Sequence, residues 1–167
     1  YLPPFVHYNT ACLLHFYTFK LLYYSECMDH IAIMNPKLGS IEKILSGEKS
    51  IESRWSKNKI APWNKIHTND IAYFKYSGQP VIAKANVAKV IQFDHLSSDK
   101  FEHIVEKFGR AICLQNTEYD PWYQAKNYVT LIFLKEPHQI EPFQINKSGF
   151  GSGCAWLCVN NLEKIRK

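Results

Sequence analysis

The sequence has no CxxC pair of the kind zinc sites use, no phosphate-binding glycine loop and almost no charge in its first 27 residues. Each absence removes a class of protein. Its five cysteines, Cys12, Cys27, Cys113, Cys154 and Cys158, are odd in number and form no CxxC pair, which argues for reduced thiols and a cytoplasmic setting rather than a disulfide framework. Cys154 and Cys158 lie four apart, but nothing supplies further metal ligands, so they read as small buried apolar residues. His67, His95, His103 and His138 are dispersed, without triad or metal spacing, so no metal or cofactor is implied. The run Ser148 to Gly153 holds three glycines but matches no G-x-x-x-x-G-K pattern and precedes no strong helix. It reads as a flexible turn, with Ser148 and Gly149 lining a cleft as the alternative. Residues 1–27 carry only Lys20 and Glu26 as charges, and lack the basic start and small-residue cleavage site of a signal peptide. His7, Asn9, Thr10, His15 and Lys20 interrupt their apolar character, which argues against a membrane span. The expectation is a leader outside the domain over 1–27, made of translated upstream sequence, with Met28 as the start and 28–167 as the domain.

What is present is ordinary except in one respect. Of 167 residues, 46% are hydrophobic and 21% charged, which fits a soluble globular chain and one domain. Aromatic residues reach 14%, with ten Phe, ten Tyr and four Trp. Twenty basic against fifteen acidic residues leave a formal charge of +5, which suits an anionic partner without demanding one.

From Met28 onward the pattern is one of short strands with helices at their connections. His30 to Met34 is an apolar run ended by Asn35-Pro36. Ile41, Ile44 and Leu45 mark a short helix that Ser40 would cap and Gly47 would end in a left-handed conformation. Lys49 to Trp55 alternates as a half-buried strand does. Ile71 to Tyr76 and Val81 to Phe93 form a hairpin around Ser77-Gly78-Gln79-Pro80. In its second strand the small residues Val81, Ala83, Ala85 and Val87 suit a tight barrel interior, and a bulge near Ala88 restores the register for Val90. Phe101, Ile104, Val105 and Phe108 define a helix from Ser98 to Phe108, with Gly109 stopping it and Asp99 and Glu102 at its start. Tyr128 to Leu134 is apolar on both faces and reads as a central strand. Glu141 to Ile145 and Ala155 to Val159 are further extended segments, and Leu162 to Lys167 a frayed helix. The expected class is α+β, a small mixed β-barrel with two or three helices at its strand connections.

The segment Gly47-Glu48-Lys49-Ser50-Ile51-Glu52-Ser53-Arg54 fits a G-x-K-[ST]-x-E-x-R signature. With the preceding helix, the Asp70-Ile71 strand, the Lys75-Tyr76-Ser77-Gly78 turn and the long strand to Phe93, it resembles the ASCH family of the PUA-like superfamily. The resemblance covers most of 28–167, best over 38–93. It implies a pseudo-barrel with a cleft that binds RNA or a modified nucleobase; the cysteine usage and the absence of a membrane span add the expectation of a cytoplasmic protein with no membrane partner. Some small members of that family are amidohydrolases acting on N-acylated nucleosides such as N4-acetylcytidine, through a Lys, a Thr three residues on and a downstream Glu. Lys49 matches the Lys, but Glu52 stands at the Thr position, and the downstream acid falls in the region of Glu102 and Glu106. A carboxylate would act as a base on water or attack to form an anhydride, so an enzyme reading requires a changed mechanism, and Ser50 or Ser53 are the other conceivable nucleophiles.

The candidate ligand-binding residues are therefore Lys49, Glu52, Arg54, Trp55, Trp63, Lys75 and Ser77, with Lys49 and Glu52 catalytic if the domain is a hydrolase. Lys49 and Glu52 are three apart and would point to opposite faces of an ideal strand, so their meeting requires the chain to leave strand geometry near Ser50. Otherwise Glu52 and Arg54 form a surface pair and Lys49 is solvated. Trp55 or Trp63 would offer a stacking face for a base, Trp55 being equally suited to packing. Lys57, Lys59, Lys65, Lys75, Lys84 and Lys89 suit a phosphate-binding rim, or equally the guarding of exposed strand edges.

Overall fold

The computed structural model describes residues 28–114 and 121–167. The expected leader over 1–27 lies outside the described residues. Six strands form one sheet: β1 Asp29–Met34, β2 Ile51–Ser56, β3 Ile71–Tyr76, β4 Val81–Phe93, β5 Tyr128–Phe143 and β6 Trp156–Val159, in the order β2-β5-β4-β3-β1-β6. Only β1 and β3 pair in parallel; the other neighbours are antiparallel. Three helices, α1 Ser40–Leu45, α2 Ser98–Ile112 and α3 Pro121–Gln124, sit at the connections of this curled half-barrel. The expected α+β barrel class is what the chain forms.

Each face of the sheet has its own apolar cluster. Ala72, Phe74, Ala83, Ala85 and Val87 line the inside with Ile41 and Ile44 of α1, where small residues let the sheet curl tightly. Ile51 and Trp55 of β2 face outward under α2, against Ile104, Phe108 and Ile112. Phe101 and Ile104 are fully buried, each stabilising by about 1.5–3 kcal/mol relative to exposure. A third cluster, built on Ile31, Val81, Phe143 and Leu157, closes the far side. The β4–β5 register shifts between Val87 and Lys89, the bulge expected at Ala88.

Several boundaries differ from expectation for physical reasons. Gly109 does not stop α2, which continues to Ile112 and ends on Cys113 at φ 57; Gly109 is helical, and a Cβ there would make only an ordinary contact with Val105 Cγ1 at 3.4 Å. Ser97 caps that helix, accepting from Lys100 N at 3.3 Å. Gly39, not Ser40, is the N-cap of α1. Tyr128 to Leu134 and the segment from Glu141 belong to one 16-residue strand, β5, whose break at Glu136 is absorbed by φ 55 and register shifts against β4. The terminal segment is a 3-10 turn over Leu162–Lys164 rather than a frayed helix.

Candidate functional site

The backbone between α1 and β2 decides the site. Gly47 takes φ 80, a left-handed conformation that costs glycine little, and Lys49 and Ser50 lie outside the ladder before β2 begins at Ile51. That departure from strand geometry lets two side chains three apart converge. Lys49 Nζ lies 3.4 Å from Glu52 Oε2 and donates to the carbonyl of Ile112 at 2.8 Å, one of the orphan carbonyls at the C-terminus of α2. Both side chains are buried, Lys49 at 9% exposure and Glu52 at 7%.

Arg54, two residues along on the inner face of β2, completes the group. Its Nε is 2.9 Å from Glu52 Oε1, in an ion pair whose N–H is not aligned as a hydrogen bond. Its Nη1 donates weakly to the carbonyls of Ile33 and Ala155, both at 3.4 Å, and its guanidinium lies 5.0 Å from the centre of the Trp156 ring. One carboxylate is thus shared by two cations, which leaves a net positive charge. Arg54 also bridges β2 to β1 and to the approach of β6, across the gap where the sheet's two edges face each other.

Trp156 is itself anchored. Its indole Nε1 donates to His30 Nδ1 at 3.1 Å, so the His30 proton sits on Nε2, which donates to Asp70 Oδ2 at 3.0 Å. Asp70 further accepts from the backbone N–H groups of Met28 at 3.0 Å and His67 at 2.7 Å. Burial pushes the His30 pKa down from 6.5, with Asp70 opposing.

A cavity of about 820 Å³ opens over this cluster. Lys49, Glu52 and Arg54 form its floor, Lys37 and Lys43 add charge, and Trp55, Trp122 and Tyr123 supply an aromatic wall. Trp55 packs edge-on against Tyr123 with centroids 4.9 Å apart, so it joins the outer core and the wall together. Four of the seven expected site residues therefore meet at this cavity. Trp63, Lys75 and Ser77 do not line it. Trp63 packs edge-on against Tyr128 at 4.9 Å, Ser77 is exposed in the β3–β4 turn, and Lys75 is buried at 9% exposure on the other side of β3 from Phe74. Desolvation, then the nearby Lys147, pushes the Lys75 pKa down from 10.5. Ser148 and Gly149 do not line the cavity either. Ser50 lines a neighbouring hollow, whereas Ser53 reaches the large cavity and its Oγ accepts from the Trp55 indole at 3.1 Å. Glu102 and Glu106 are not among the lining residues. Tyr123, Trp156, His30 and Asp70 carry no spacing signal in the sequence; contacts across 40 residues or more unite the last three with Arg54.

Among the described residues no group of His, Cys, Asp and Glu could hold a metal ion, and no helix is long and apolar enough to cross a membrane.

No family model matches the chain, and no curated protein matches it. Solved structures do. An ASCH protein from Zymomonas mobilis matches at 17% identity over 68% of this chain and 71% of its own, with a TM-score of 0.52. A Tyr-to-Phe mutant of that protein matches at 16% identity over 81% of this chain and 93% of its own, with a TM-score of 0.59. A Ser-to-Ala mutant gives 17% identity, 81% and 91% coverage, and the same TM-score of 0.59. Together with the strand order and the cleft beside the curled sheet, these likenesses establish that the chain has the fold of ASCH domain proteins.

Proposed function

We propose that this is a cytoplasmic ASCH-type domain that binds RNA, through a nucleobase held in the 820 Å³ cavity. The observation that carries the reading is the buried convergence of Lys49, Glu52 and Arg54 beneath an aromatic wall. Glu52 is an acceptor for an exocyclic amine, Trp55 and Tyr123 offer ring faces and edges, and the surplus of cations suits the phosphates that accompany a base. A cavity of this size falls within the range of small-ligand sites.

The test is RNA binding as a function of salt. Lys49→Glu reverses charge on the floor and is expected to weaken binding at least ten-fold, with log K falling linearly as log salt rises. RNA affinity indifferent to both salt and Lys49→Glu would end the proposal.

A second reading is hydrolysis of an N-acylated nucleoside such as N4-acetylcytidine, favoured specifically by the 3.4 Å approach of Lys49 to Glu52. Glu52 would take a proton from water as its oxygen adds to the acyl carbon. Lys49 would stabilise the oxyanion, and the released exocyclic amine would regain the proton. Acetate release that disappears in Glu52→Gln supports this reading, and no turnover of acylated nucleosides removes it.

A further inference from the structure

The large cavity has a neighbour. A second hollow of about 350 Å³ lies beyond Arg54, walled by Ile60, Ala61, Pro62, Ala155 and Trp156, with Gly153 at its margin. The two share Arg54 and Trp55 in their linings but differ in chemistry. The large cavity has Lys37, Lys43, Lys49 and Arg54 against Glu52, whereas Arg54 is the one charged residue among those lining the small one. Thr130 and Ser56 give the small hollow two hydroxyls, and the rest of its wall is apolar or aromatic. Each is by itself within the size range of small-molecule sites, about 300–1,000 Å³. A single nucleoside therefore leaves one of them empty.

The residue between them is prepared for an anion. Arg54 is stacked on Trp156, which His30 holds by the indole N–H, and Nη1 is committed to two carbonyls. Nη2 has no hydrogen bond among the described residues. A fixed guanidinium with a free edge, flanked by two ring-lined hollows, matches a phosphate with a base on either side.

We propose that the site takes two consecutive nucleotides of a single strand, one base in each hollow and the connecting phosphate on Arg54. This extension rests on the RNA-binding reading above. The probes are cytidine and adenosine, and the dinucleoside monophosphates CpC and ApA, titrated by tryptophan fluorescence. The dinucleoside monophosphate is expected to bind about ten-fold tighter than its nucleoside, from one more stacked base. Its affinity should also fall as salt rises, from screening of its one phosphate against Arg54, while that of the uncharged nucleoside should not. Gly153→Phe is the discriminating variant, because a Cβ at Gly153 meets no atom within 4 Å and its backbone is not left-handed, so a ring is accommodated there. It should bring the affinity ratio to about one, as should Ala155→Phe. A wild-type ratio near one with nucleoside bound overturns the two-base proposal and leaves the single-base reading standing. A ratio unchanged in both Phe variants overturns it equally. Failure of every probe to bind, with short RNA failing too, removes the RNA-binding reading itself.

Discussion

Replacing Glu52 by Gln tests whether the cluster beneath the cavity is held as its geometry implies. The substitution keeps shape and removes one charge from between two cations, at 3.4 Å from Lys49 Nζ and 2.9 Å from Arg54 Nε. With an effective dielectric of about 20, each contact has a gross Coulomb energy of about 5 kcal/mol, most of it offset by the desolvation of the three groups. Removing one member of a buried pair typically costs about 3–5 kcal/mol, since the partner is left uncompensated. Here both cations keep backbone acceptors, Ile112 for Lys49 and Ile33 and Ala155 for Arg54, so the cost should fall at the lower end, about 3 kcal/mol. Urea unfolding of wild type and variant reads this directly, as a lowered midpoint with an unchanged slope. The double variant Lys49→Met with Glu52→Leu removes a cation and the anion together and should lose less than Glu52→Gln alone. A loss under about 0.5 kcal/mol for Glu52→Gln would refute the argument, because that is the behaviour of a solvated surface pair.

Two further outcomes follow from groups away from the cavity floor. His30 titrates below its ordinary 6.5 in the fold, so below that pH the unfolded chain binds more protons than the folded one. Stability should therefore fall as pH drops from about 6.5, and His30→Gln should flatten that part of a thermal-unfolding profile; a slope unchanged in the variant would sink the idea. Lys75 is buried with its pKa lowered and has no acidic partner among the described residues, so at neutral pH the fold carries a desolvated charge. Lys75→Met should stabilise by about 1 kcal/mol at pH 7, a gain that shrinks as pH rises toward 10.5 and the wild-type amine is neutralised in the fold first; destabilisation at pH 7 would show that the ammonium is well solvated.

Much of the fold was legible because its strands carry local signals. The Val81, Ala83, Ala85, Val87 alternation, and its failure at Lys89, were enough to place the bulge at Ala88 that the β4–β5 register displays. The glycine after α1 allowed the chain to leave strand geometry and bring Lys49 to Glu52, but the sequence left a solvated Lys49 open as well. Gly109 misled because a helix-ending glycine and a glycine within a helix look alike in sequence; the distinction lies in the left-handed Cys113 that ends the helix beyond it. Lys75 looked like a rim cation because alternation alone does not say that the third apolar cluster, around Ile31 and Phe143, covers that face. The His30, Asp70 and Trp156 relay was illegible for another reason. His30 opens an apolar run, and its partners lie 40 and 126 residues away.

Backbone pairing runs from β2 at one edge to β6 at the other and does not close the circle; a guanidinium stitches that opening instead. A cylinder sealed by a ladder widens only by tearing strands apart, at the expense of several cooperative bonds. One sealed by a side chain is held here by an ion pair, a ring contact and two long hydrogen bonds, so a substitution at Arg54 would open the seam with every ladder intact. The strength of this seam therefore rests on one residue and not on the ladders.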